Sequence, residues 1–179
     1  NDGTKLVANF SVAAAASLTA REIRVVSPGG VSNPLPLTIG HLPEVFETGG
    51  NHTLGDAQLV SLPAVINGTI SAAAQVDYFR FKAAKGQELV FEIEASRRGS
   101  PLDSSLALLD AKGKELARDE DTLGLDSLLK FSIPDDGEYL VQLRDFRYQG
   151  GDKYTYRLTA GALAFVERTF PLGGQRGKD

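Results

Sequence analysis

The chain has 179 residues, of which 42% are hydrophobic and 23% charged, with a net charge of −4 and an isoelectric point near 5.2. This is the composition of an ordinary globular protein, long enough for one domain with a sizeable core, or for one domain and part of another. The acidic balance offers no basic footprint for nucleic acid or an anionic membrane, the lack of Cys excludes disulfides, thiolate zinc sites and cysteine nucleophiles, and the apolar stretches are too short and interrupted for a transmembrane helix. No signal peptide is visible. The chain opens Asn1-Asp2-Gly3 and contains no Met, so we expect an excised piece of a longer polypeptide.

Taken in chain order, the text reads as strands. Leu6, Ala8, Phe10 and Val12 alternate with a period of two. The Ala-rich run Val12 to Leu18 carries no apolar stripe at helical spacing, so no helix is expected there. Phe79 and Phe81 alternate with Arg80 and Lys82, and Leu89, Phe91, Ile93 and Ala95 with Glu92 and Glu94. Leu129, Phe131 and Ile133 repeat the pattern, as do Tyr139, Val141 and Leu143, then Tyr154, Tyr156 and Leu158. Strand side chains point alternately to opposite faces, so each run predicts one core face and one wet face. Turn chemistry separates the runs: Ser27-Pro28-Gly29-Gly30, Ala84-Lys85-Gly86-Gln87, Asp110-Ala111-Lys112-Gly113, Pro134-Asp135-Asp136-Gly137 and Gln149-Gly150-Gly151-Asp152. Short half-buried strands at this spacing predict an all-β, antiparallel sandwich.

Two seams are visible. Gly40-His41-Leu42-Pro43 closes a first segment, and after Gly161 the chain turns into a stretch with Pro171, Gly173, Gly174 and Gly177. We therefore divide the chain at 1–40, 41–161 and 162–179, the last being a linker or the start of a following domain.

Chemistry-bearing patterns are sparse. The only two His are His41, at a seam, and His52, in a Gly-rich loop; no G-x-S-x-G elbow occurs, and nothing predicts a Ser-His-Asp triad. Glu92 with Glu94, Glu120 with Asp121, and Asp135 with Asp136 are carboxylate pairs, but glycosidase chemistry needs two carboxylates facing one cleft. Glu92 and Glu94 read as the wet face of a strand and Asp135-Asp136-Gly137 as a turn. Asp119-Glu120-Asp121 with Asp126 has the acid density of a calcium loop without the EF-hand spacing or its terminal bidentate Glu. No catalytic residue is assigned. Among the late aromatics, Tyr154 and Tyr156 share the parity of Leu158 and read as core. Tyr148 sits in a turn and is the surface candidate for stacking on a sugar or a peptide chain.

An ordered series of motifs over residues 44–161 resembles the bacterial pre-peptidase C-terminal domain. It runs through Val65-Ile66-Asn67-Gly68-Thr69-Ile70, Val76-Asp77-Tyr78-Phe79-Arg80-Phe81, Ala84-Lys85-Gly86-Gln87, Ser100-Pro101-Leu102-Asp103, Leu108-Leu109-Asp110 with Gly113, Asp119-Glu120-Asp121, Gly137-Glu138-Tyr139 and Tyr156-Arg157-Leu158. The resemblance implies an eight-stranded, jelly-roll-like β-sandwich that rides as a non-catalytic appendage on exported proteases and other proteins. It implies a location that is extracellular, at the cell surface or periplasmic. Residues 1–40, through Ile23 to Asn33 and Leu35 to Ile39, look like the last strands of an immunoglobulin-like domain of the IPT/TIG kind, of which they supply about half. Phe170-Pro171-Leu172-Gly173-Gly174 would begin the next such unit.

Some relatives of this resemblance bind calcium through an acidic segment before the first strand and an Asp-rich segment later. The corresponding stretches are Glu47-Thr48-Gly49-Gly50-Asn51-His52 and Gln75-Val76-Asp77-Tyr78. Glu47, Asn51 and Asp77 stand where oxygen ligands are implied, whereas Gly49, His52 and Gln75 stand where acids would be. Calcium is thus the one cofactor implied, at a depleted site where weak binding or none is expected. The bland alternative is that Glu47 and Asn51 cap a loop while Asp77 holds the strand entry. The sequence reading is a spacer or interaction module whose partners are neighbouring domains of its own polypeptide. Its alternative is a binding module for an extracellular polysaccharide or fibrous protein.

Overall fold

The structure is a computed structural model that describes residues 7–166, 170–171 and 173–177. The chain divides into two compact units, Asn1–Leu42 and Pro43–Asp179.

The described part of the first unit is built on one hairpin. Strand β1 (Ala20–Ile23) pairs antiparallel with β4 (Leu35–Thr38), and β2 (Val26–Ser27) with β3 (Gly30–Val31) around the Pro28-Gly29 turn. The register shifts by one residue between the two pairs, where Ser32 N–H donates to the Val25 carbonyl at 2.9 Å. Among the described residues no strand forms at the start of the chain. Leu6 lies outside the described residues, and Ala8, Phe10 and Val12 are exposed and belong to no strand. Alternation alone does not make a strand, because its backbone groups need a partner edge.

The second unit is an all-β sandwich of two five-stranded sheets in a jelly-roll-like arrangement. Its strands are β5 (Glu44–Phe46), β6 (Gln58–Leu59), β7 (Ala64–Thr69), β8 (Val76–Ala83), β9 (Glu88–Glu94), β10 (Ser104–Asp110), β11 (Glu115–Asp119), β12 (Leu128–Ser132), β13 (Gly137–Asp145) and β14 (Thr155–Gly161). One sheet has the order β11-β10-β13-β8-β6 and the other β12-β9-β14-β7-β5. The eight strands β7 to β14 pair antiparallel with one another, and β5 and β6 are short additions that lie parallel to β7 and β8 at the edges. The sandwich thus carries two strands beyond the eight implied by resemblance, and they depart from the all-antiparallel expectation.

The inward residues are those of the expected parity. Phe79, Phe81, Tyr139, Val141 and Leu143 from one sheet meet Leu89, Phe91, Ile93, Tyr156 and Leu158 from the other in one buried cluster. The Phe81 and Phe91 ring centroids lie 5.6 Å apart with a 48° tilt, a favourable aromatic geometry. Strand β10 breaks the alternation, since Ser104 to Leu109 are all buried. Its outward residues Ala107 and Leu109 join Leu140 in a second cluster, against which Ala57 and Tyr78 pack. That cover comes from the segment between β5 and β6, which crosses from one sheet to the other. Leu54 of this segment rests against the 110–113 turn, and its carbonyl accepts from Arg80 Nη2 at 3.0 Å.

Candidate functional site

The crossover between the sheets also assembles the densest group of ligand-type side chains. Glu47 follows β5, Asn51 and His52 lie in the crossover, and Asp77 is the second residue of β8. Ligand atoms of Glu47, His52 and Asp77 all fall within 4.8 Å of one another. Two strands of the facing sheet complete the surroundings. Tyr156 of β14 pairs with Gly68 of β7. A Cβ at Gly68 would sit 2.3 Å from Tyr156 Oη and 2.7 Å from Glu47 Oε2, so the missing side chain lets the phenol and the carboxylate converge.

Asp77 is fully buried and anchors the group. Its Oδ1 accepts from Gln75 Nε2 at 2.8 Å and lies 3.0 Å from His52 Nδ1, while its Oδ2 accepts from Tyr156 Oη at 2.8 Å. The last bond joins the two sheets. Glu47 Oε2 accepts from the Thr69 amide at 2.9 Å. Burial pushes both carboxyls above the usual carboxylate range, against the lowering effect of the hydrogen bonds each accepts. Burial also drives the Tyr156 hydroxyl well above its ordinary value, and the charges of Asp77 and Glu47 add to this, so the phenol stays a donor. Asn51 is buried; its Nδ2 reaches the Tyr78 carbonyl at 3.5 Å, and its Oδ1 has no hydrogen-bond partner.

Of the three residues read as depleted calcium ligands, the fold brings Glu47 and Asp77 together with His52, and Asn51 lies one residue before His52. His52 stood in the sequence as a departure from an acidic pattern, but the fold places its imidazole against Asp77. The only available signal was its position one residue after Asn51. Calcium fits this donor set poorly. It takes six to eight hard oxygens, whereas the cluster offers two carboxylates and a nitrogen, and both Asp77 oxygens already accept bonds.

The other candidates are engaged structurally. Asp126 is buried, and its carboxylate accepts from the amides of Ala95, Ser96 and Arg97 at 3.1, 2.7 and 3.2 Å and from Arg97 Nε at 2.8 Å. Asp119 accepts from the Leu128 amide at 2.8 Å, and Glu120 from Ser105 Oγ at 3.1 Å. These hydrogen bonds hold the 119–126 loop. Glu92 pairs with Arg97, Glu94 with Arg98 and Asp135 with Lys85, so none of these carboxylate pairs is set free to face a cleft. His41 is exposed. Tyr148 is 55% exposed at a φ of 58°, and the Arg144 guanidinium lies 4.4 Å from its ring centroid. Its turn is held by the Asp145 carboxylate, which accepts from the amides of Arg147 and Gln149, both at 2.9 Å.

Comparison with known proteins bears on the sandwich. Residues 75–145 match the family described as the bacterial pre-peptidase C-terminal domain. Part of this chain is a pre-peptidase C-terminal-like domain. A probable subtilase-type serine protease of Deinococcus radiodurans is 39% identical over 69 residues, which are 38% of this chain and 10% of that protein. The chain thus spans about a tenth of the length of this curated relative. Among solved structures, the pre-peptidase C-terminal domain of a collagenase from Bacillus anthracis aligns with a TM-score of 0.47 at 16% identity, covering 58% of this chain and 93% of that one. The periplasmic g-type lysozyme inhibitor PliG of Aeromonas hydrophila aligns with a TM-score of 0.45 at 14% identity, covering 66% and 97%. Among the described residues, no helix is long and apolar enough to cross a membrane.

Proposed function

We propose that the chain is a spacer or interaction module within a larger exported bacterial protein, working outside the cytoplasm beside neighbouring domains of its own polypeptide. The observation that carries this reading is the match of residues 75–145 to the pre-peptidase C-terminal domain. The engaged state of the carboxylate pairs supports it. In the same reading, residues 1–40 are a partial Ig-like segment, supported by the β1–β4 hairpin, residues 41–161 are the module and residues 162–179 are a linker or the start of a following domain. The pure chain should turn over neither peptide nor glycan substrates. Turnover abolished by one point substitution would overturn the reading.

A second reading, binding of an extracellular polysaccharide or fibrous protein, is favoured by the exposed Tyr148 ring and the neighbouring Phe146, itself 47% exposed. Cosedimentation with insoluble polysaccharide and with collagen fibrils separates the two. The spacer reading expects the chain to stay in the supernatant. Retention that Tyr148→Ala abolishes would establish the binding module in its place.

A further inference from the structure

We propose that Glu47, His52 and Asp77 form a site for a divalent transition ion of the Zn²⁺ class, and that the site discriminates against Ca²⁺. The inference starts from the donor set, independently of the accessory role. Two carboxylates and one imidazole converge, with ligand atoms within 4.8 Å of one another. Imidazole suits zinc, copper and nickel, whereas calcium and magnesium take oxygen donors. Zinc is satisfied by three protein ligands with water in the fourth position, which is the number present here. Calcium takes six to eight oxygens, more than two carboxylates supply. The neighbouring Gln75 and Tyr156 side chains turn donor groups toward Asp77, which orients the carboxylate but adds no acceptor to a metal's shell.

Two further observations point to a ligand. Asn51, one residue before His52 and 1% exposed, keeps a buried Oδ1 with no hydrogen-bond partner. A buried acceptor left unpaired costs about 1–3 kcal/mol, so its retention calls for a partner. Gly68, by lacking a Cβ, lets the Glu47 carboxylate and the Tyr156 hydroxyl converge beside Asp77. Access exists as well, because the His52 side chain is 41% exposed while Asp77 is fully enclosed. The ion would enter from the His52 side and take the place of the 3.0 Å contact between His52 Nδ1 and Asp77 Oδ1. Gln75 and Tyr156 would then act as the outer hydrogen-bonding partners that fix a ligating carboxylate.

The test uses the whole 179-residue chain, stripped with chelator and titrated calorimetrically with Zn²⁺ and, separately, with Ca²⁺. One Zn²⁺ per chain is expected, with Ca²⁺ bound at least roughly a hundredfold more weakly. His52→Ala should weaken Zn²⁺ binding by roughly tenfold or more and leave the circular dichroism of the metal-free protein unchanged. His41→Ala, which removes the only other imidazole, should leave binding intact. Glu47→Gln gives a second loss should His52→Ala fold poorly. Co²⁺ should show visible absorption of a low-coordinate site in the parent and lose it in Glu47→Gln. Tighter binding of Ca²⁺ than Zn²⁺, no Zn²⁺ binding, or Zn²⁺ binding that survives both His52→Ala and Glu47→Gln would each overturn the proposal.

Discussion

Gly68 and Tyr156 face each other across the β7–β14 pair, and the phenol leans over the glycine to reach Asp77. The space is spoken for, since a methyl at Gly68 would lie 2.3 Å from Oη and 2.4 Å from Cζ. The Tyr156 ring is buried and bonded at its tip, so it has no free rotamer to retreat into. Gly68→Ala should lower stability by about 1–3 kcal/mol, the usual cost of overpacking, read as a lower midpoint in urea with an unchanged slope. Gly55→Ala is the control: its Cβ would meet only Thr53 Oγ1 at 3.8 Å, and a change within about 0.5 kcal/mol is expected. Equal midpoints for the two variants would mean that the ring does not occupy that space. Little of this group was legible in the sequence. Tyr156 read as a core residue from its parity with Leu158, and it is one, but periodicity reports which face a side chain takes and not what its hydroxyl reaches. Glu47, Asn51 and Asp77 were named only through a resemblance. His52 reads in sequence only as a loop residue that departs from an acidic pattern, since its partner lies 25 residues away and only the crossover brings the two together.

At the scale of elements, legibility follows from how many faces a strand buries. Strands β8 and β14 bury one face with alternating residues, while β9 and β13 each add one buried residue off that parity, Val90 and Leu140. Strand β10 is buried on both faces because the 47–57 crossover covers its outer side, so its text Ser104 to Asp110 carries no period of two. The edge strands β5 and β6 are three and two residues long, too short for any periodic signal. The acids from Asp119 to Asp126 were legible as an acid-dense stretch but not in their partners, which are the Leu128 amide for Asp119 and Ser105 Oγ for Glu120. Asp126 binds three consecutive amides and the Arg97 guanidinium at the entry to the 3-10 turn Ser96–Arg98. Asp126→Ala leaves those donors unpaired beside a half-exposed cation and should cost about 3–5 kcal/mol, the range for breaking a buried pair. Exposed Asp121→Ala should cost under about 0.5 kcal/mol. Thermal unfolding of both variants with and without Ca²⁺ checks the assignment. A calcium-dependent melting temperature in the parent that Asp121→Ala removes would restore the cation loop.

At the scale of the whole molecule, the division at Leu42 and Pro43 coincides with the edge of the core. Among the described residues, every buried hydrophobic lies at Val60 or beyond, and both five-stranded sheets begin and end inside the second unit. The hairpin of the first unit has two strand pairs and no buried apolar residue of its own, and a hairpin of that kind is marginal by itself. The cut has one constraint: the Val65 amide donates to the Pro43 carbonyl at 2.8 Å, so Pro43 belongs with the sandwich. A chain of residues 41–162 keeps that bond, all ten strands of the sandwich and the Glu47–His52–Asp77 group. It should unfold in one cooperative transition, with a melting temperature within about 4 °C of the full chain, a shift worth roughly 1 kcal/mol or less at this size. Differential scanning calorimetry makes the comparison. A broad, non-cooperative melt or an insoluble product would mean that the first 40 residues supply part of the sandwich's stability, and would move the boundary of the folding unit to include the hairpin.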